Sequence, residues 1–146
     1  TPYFAVEDSM VRALCMASDS GVDVRLMLPG IPDHPYTDIV ARSHYGRLLQ
    51  HGVKLYEFTP GFLHAKSFAA DGETALVGTI NMDYRSFQLH YECGVMLYGS
   101  EAIAPLLEDM RGIMARSVQV EGARWERRSW LMRILEKILR VFSIWM

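Results

Sequence analysis

At 146 residues the chain is long enough to bury one hydrophobic core, and with half of its residues hydrophobic and 22% charged it has an ordinary globular balance. Its formal net charge of −2 conceals a division, because residues 1–123 carry nine Lys/Arg against fifteen Asp/Glu while residues 124–146 carry six against two. An acidic body argues against a nucleic-acid partner, and no run of about eighteen uncharged apolar residues reads as a membrane-spanning helix.

Tyr3 to Val6 reads as a strand already under way, so the natural start of the protein is expected upstream. Asp8 to Ser18 is predicted helical, with Met10, Val11, Leu14, Cys15 and Ala17 on one face and Gly21 ending it. Val22 to Leu28 alternates as a strand and stops at Pro29-Gly30. The loop from Gly30 to Tyr36 then follows a strand's carboxyl end, where α/β sheets place their sites, which makes Asp33 and His34 candidates for substrate contact. A helix over Thr37 to Gln50 halts at Gly52, with His44 and His51 as surface or capping residues. Val53 to Phe58 is a strand, and Pro60-Gly61 a turn. Strands Leu63 to Ala69 and Thr74 to Gly78 are joined by the hairpin dipeptide Asp71-Gly72. Tyr91 to Tyr98 is a further strand, with His90 before it as a surface or capping residue. Ser100 caps a helix reaching about Ser117.

These elements predict an α/β fold, a mixed β-sheet flanked by helices, over residues 1–122. Residues 123–146 form a second unit. There Leu131, Leu135, Ile138 and Phe142 recur at helical spacing, Arg133, Glu136, Lys137 and Arg140 gather on another side, and Trp125, Trp130 and Trp145 add amphipathic rings. A basic amphipathic helix of this kind suits a membrane interface or, equally, the surface of another domain. Cys15 and Cys93 sit in apolar segments and read as buried free thiols, which fits a reducing, cytoplasm-facing setting.

The chemistry concentrates in His64-Ala-Lys66, Asp71 and Gly78-Thr79-Ile-Asn81, all within eighteen positions. In a strand, His64 and Lys66 share a face, so the spacing delivers an imidazole and an ammonium to one spot. Asn81 leaves the next strand where a carboxamide can donate to phosphoryl oxygens. Thr79 adds a hydroxyl donor, and Gly78 permits a close backbone approach. The set is an electrophilic clamp for a phosphodiester that calls for no cofactor, and no His/Cys or carboxylate cluster stands at metal-ligand spacing. Glu92 is the candidate to orient His64 from its far nitrogen. Asp71, at the hairpin, reads as a structural partner rather than an acid.

The joint pattern H-x-K, four residues, D, six residues, G-T-x-N resembles the HKD signature of the phospholipase D superfamily. The phrases Pro60-Gly-Phe-Leu-His-Ala-Lys66, Asn81-Met-Asp83 and Arg85-Ser-Phe87 bring the resemblance closer, to the carboxyl-terminal half of bacterial cardiolipin synthases. That resemblance implies a phospholipase D-like half-domain in which His64, Lys66 and Asp71 are the catalytic trio. It implies phosphatidyl transfer between two phosphatidylglycerol molecules through a phosphohistidine, at the cytoplasmic face of the cell membrane. His64 is then the acid/base histidine. The superfamily's site takes two copies of the signature and this chain has one. A second HKD half is therefore an expected partner, from the same full-length chain or from a homodimer, and the fragment alone is expected to be inactive. Two other readings stay open: a homodimeric phospholipase D-like nuclease and a non-enzymatic membrane-binding module.

Overall fold

The computed structural model describes residues 1–122 and Trp125. In chain order it contains β1 (Phe4–Ala5), α1 (Asp8–Asp19), β2 (Arg25–Pro29), α2 (Pro35–Gln50), β3 (Lys54–Phe58) and β4 (Ser67–Ala70). There follow β5 (Thr74–Gly78), β6 (Met82–Asp83), α3 (Tyr84–Gln88), β7 (Gly94–Tyr98), α4 (Ile103–Ala115) and β8 (Ser117–Gln119). The strands form three ladders. β1 pairs in parallel with β6. β3 lies between parallel β2 and antiparallel β8, and β5 lies between β4 and β7, both antiparallel.

The apolar periodicity decides what is buried. α1 turns Val11 and Cys15 inward with Met10 and Leu14 beside them, as its predicted face requires. They meet Phe4 and Val6, Leu26 and Leu28 of β2, Leu55 of β3, and Ala41, Tyr45 and Leu48 of α2. Pro35 opens α2, where a missing N–H costs nothing. Gly52, at φ +81°, ends it in the left-handed conformation that a side chain would resist. Arg42 ties α2 to the sheet, its guanidinium meeting Asp38 at 2.8 Å and Glu57 of β3 at 3.0 Å.

Several expectations are corrected. His44 is 2% exposed, with its ring edge-on to Phe4 at 5.8 Å, because the helix face that carries it turns onto β1. Cys93 is exposed whereas Cys15 is buried. The predicted strand over Leu63 to Lys66 has no ladder. Pairing begins at Ser67, and the carbonyl of Lys66 takes one bond from the Gly78 N–H at 3.2 Å before β5 passes on to β7. β7 likewise begins at Gly94 rather than Tyr91. Elements β6, α3 and β8 are two, five and three residues long, too short for a periodicity to announce them. The amphipathic helix predicted for 123–146 lies outside the described residues except at Trp125. That ring packs on Tyr45 of α2 with centroids 4.8 Å apart.

Candidate active site

His64 and Lys66 meet although no ladder holds them. Lys66 Nζ donates to the His64 carbonyl at 2.9 Å and stands 3.3 Å from His64 Nε2. An ammonium has only hydrogens to give, so a hydrogen bond between the two would use the Nε2 lone pair. Phe62 lies tilted against the imidazole with centroids 5.5 Å apart, which restrains the ring from one side. Extended backbone alone suffices to bring residues i and i+2 to one side. Burial lowers the Lys66 pKa, and the carboxylates of Glu92 and Asp83 work against that shift. The ammonium thus sits in the field of both acids.

The other components form a chain of hydrogen bonds where β5 ends and β7 begins. The Thr79 hydroxyl donates to Glu92 Oε2, and accepts from the Cys93 N–H at 3.0 Å. Ser86 bonds the same carboxylate, and its hydroxyl accepts from the Asn81 N–H at 3.2 Å. Asp83 caps α3 by accepting from the Ser86 N–H at 2.7 Å. The hydrogen bonds from Thr79 and Ser86, with weaker help from His90 and Lys66, hold the Glu92 carboxyl below its usual range. Asn81 Oδ1 is buried with no hydrogen-bond partner among the described residues, so this oxygen is left to accept from a ligand hydroxyl.

The candidate residues therefore separate. Lys66, with His64 against it, lies in the field of Glu92, which Thr79 bonds, and Asn81 is tied to the start of α3 through Ser86. Glu92, however, spends its oxygens on Thr79 and Ser86, and the imidazole nitrogen within 4 Å of it is that of His90, at 3.9 Å. Thr79 correspondingly gives its hydrogen to Glu92 rather than offering it to a phosphate. Asp71 occupies the β4–β5 turn at φ +55°, five positions from Lys66 and roughly 16 Å along a strand. Gly78 packs against β7, where an added Cβ would collide with the backbone of Cys93 and Gly94.

A cleft of about 560 Å³ opens beside Asn81, between β1, the β2–α2 loop and α3. His34 lines it, and Asp33 stands behind His34, accepting from the Tyr3 hydroxyl at 2.6 Å. Burial and this bond push the Tyr3 pKa up to about 12, so the phenol keeps its proton throughout the physiological range. Tyr3, Tyr36, Arg85 and His90 also line the cleft, Arg85 having stood in the sequence only as part of Arg85-Ser-Phe87 and His90 only as a surface or capping residue. The place of Ser86 could have been read from the sequence, since Asp83-x-x-Ser86 has the spacing of a helix cap. Those of Tyr3 and His90 could not, because only the β1–β6 pairing brings residue 3 beside residues 81–90.

Thr79→Val removes a donor from the Glu92 carboxylate and should raise its pKa towards the ordinary value of 4.5, as followed by NMR titration of the side-chain carbon. A depressed pKa means that the link is complete above about pH 4.5 and is lost as pH falls through the folded value. An unmoved titration would show that the hydroxyl does not hold this charge.

Solved structures share this mixed α/β fold. Nuc, a phospholipase D family member from Salmonella typhimurium, aligns with a TM-score of 0.69 at 18% identity, over 82% of this chain and 78% of its own. Phosphatidylserine synthase of Haemophilus influenzae aligns at 0.71 and 17% identity, over 99% of this chain and 39% of its own. Residues 1–114 match the family model described as cardiolipin synthase, PLD-like domain, and the chain belongs to that family. It is 41% identical over 143 residues to a cardiolipin synthase of Clostridium perfringens and 38% identical to cardiolipin synthase 2 of Bacillus cereus. It covers 98% of itself in both matches but only 30% and 28% of those proteins.

Proposed function

We propose that this chain is one half of the active site of a phosphatidyltransferase that joins two phosphatidylglycerol molecules into cardiolipin and releases glycerol. The observation that carries the reading is the His64 Nε2–Lys66 Nζ pair in a member of the cardiolipin synthase family, with the ammonium in the field of Glu92 and Asp83. In the first step a histidine nitrogen of one half bonds to the donor's phosphorus. The bond from phosphorus to the glycerol oxygen breaks, and that oxygen takes a proton from the histidine of the other half. In the second step the primary hydroxyl of another phosphatidylglycerol attacks. The P–N bond breaks, and the hydroxyl proton returns to the acid/base histidine. His64 takes the acid/base role, while Lys66 and Asn81 hold the phosphoryl oxygens as charge builds on them.

The exposed β7 strand supports a second half. Among the described residues its outer edge pairs with no strand, and Val95, Met96 and Tyr98 on it are exposed together with the preceding Tyr91. An uncovered apolar edge of this kind is a liability for a lone chain. The proposed setting is the cytoplasmic face of the cell membrane. No described helix is long and apolar enough to cross a membrane, and the basic stretch 123–146 is the proposed contact with anionic lipid.

A homodimer is the second reading, favoured by the Nuc alignment, where 78% of a whole chain corresponds to this half. Phosphatidylglycerol vesicles and labelled DNA offered to residues 1–146, alone and joined to a second HKD half, separate the readings. Cardiolipin should form only in the joined protein. Cardiolipin from a demonstrated monomer would end the half-site reading, and DNA cleavage by a dimer would favour the nuclease.

A further inference from the structure

Cardiolipin carries two phosphodiesters, and the groups described so far bind one. Lys66 is committed to it: its ammonium is bonded to the His64 carbonyl, meets the His64 ring and lies in the field of Glu92 and Asp83. The cleft beside Asn81 contains a different cation. Among the described residues Arg85 is the one Lys or Arg that lines it, and no carboxylate stands within 4 Å of its guanidinium. Arg25, Arg42 and Arg111 each have an acid partner, and Arg12, Arg47 and Arg116, which have none among the described residues, do not line the cleft. The acids near the cleft are already occupied. Asp83 is buried and caps α3, Asp33 receives the Tyr3 hydroxyl, and Glu92 receives Thr79 and Ser86. His34, on the β2–α2 loop, and His90, just past α3, present further imidazole donors to the same space.

A volume of about 560 Å³ exceeds what one phosphoglycerol group fills and falls within the range of sites that enclose a small molecule. A guanidinium offers a planar fork of donors that matches a phosphodiester, and it keeps its charge at every physiological pH. We infer that Arg85, flanked by His34 and His90, is the subsite for the phosphodiester of the acceptor lipid. This rests on the transfer proposed above and deepens it. Water and glycerol carry no phosphate for Arg85 to hold, whereas a second phosphatidylglycerol does. Arg85 therefore selects the acceptor, while His64 and Lys66 act on the donor.

The test uses a full-length enzyme carrying this half, with phosphatidylglycerol vesicles and added glycerol. The readout is the ratio of cardiolipin to phosphatidate and to glycerol-exchange product, so a change in total turnover does not affect it. Arg85→Gln should shift that ratio away from cardiolipin on the order of 10- to 100-fold, the worth of a lost charge-assisted hydrogen bond. Arg85→Lys, which keeps the charge and loses the fork, should fall between. An unchanged ratio in Arg85→Gln overturns the assignment, even if all products decline together. If the unsubstituted enzyme makes no cardiolipin, the proposed transfer fails instead. The subsite is then read by titration with sn-glycerol 3-phosphate. Weaker binding in Arg85→Gln supports an anion site there, and equal binding in the two proteins removes it.

Discussion

Replacing His64 with alanine in a full-length enzyme that carries this half should lower cardiolipin formation by about 10²- to 10⁴-fold, the usual contribution of a positioned proton donor and acceptor. The side chain is exposed and its contacts are with Lys66 and Phe62, so the fold should survive the change. The loss should be selective. An acid is needed to protonate a departing glycerol oxygen, whereas a weakly basic leaving group departs without one. A p-nitrophenyl phosphodiester should therefore restore a single burst of p-nitrophenol in His64→Ala, with the slow step moved to release of the phosphohistidine. A nucleophile cannot be bypassed in this way. Absence of the burst, with no labelled enzyme trapped, would move His64 to the nucleophile's role, and wild-type turnover would remove it from the reaction.

The fold class was legible because periodicity is strong wherever an element is long. The inward face of α1 and the apolar alternation of β2 and β3 follow from side-chain spacing alone. Short elements escaped for the same reason. A two-residue β6 and a five-residue α3 carry no period, yet they position Asn81, Arg85 and Ser86. The spacing of His64 and Lys66 was legible as a contact, but the ladder assumed beneath it does not exist. Glu92 was expected behind His64 and is instead bonded to Thr79 and Ser86. Sequence spacing reports which residues can share a side; it does not report which of several acceptors a hydroxyl will choose. The cleft was visible only through the His34 loop, since its other wall is assembled by the pairing of β1 with β6, seventy-eight positions apart.

Gly78→Ala should be among the most destabilising small substitutions in this half, costing about 3 kcal/mol or more, the upper range for overpacking. Gly78 first suggested a place where backbone must approach a phosphate, but the structure gives a nearer reason. It pairs with Gly94 across β5 and β7, and an added Cβ would overlap the Cys93 carbonyl oxygen and lie 2.6 Å from Gly94 Cα. Backbone atoms in a ladder cannot rotate away, so relief requires β7 to move. That movement would break the Thr79 N–H bond to the Cys93 carbonyl at 2.9 Å and the return bond from the Cys93 N–H to Thr79 at 3.0 Å. Glu92 would be carried off with them. Gly94→Ala is the control, because its Cβ would meet the tip of the flexible Leu76 side chain at 2.9 Å, which can rotate. Its cost should be about 1 kcal/mol. Denaturant midpoints of the two variants measure the difference, and hydrogen exchange at the Thr79 amide locates it. If Gly78→Ala keeps wild-type stability and loses only affinity for lipid, the glycine serves the substrate, and the packing account of this strand pair is wrong.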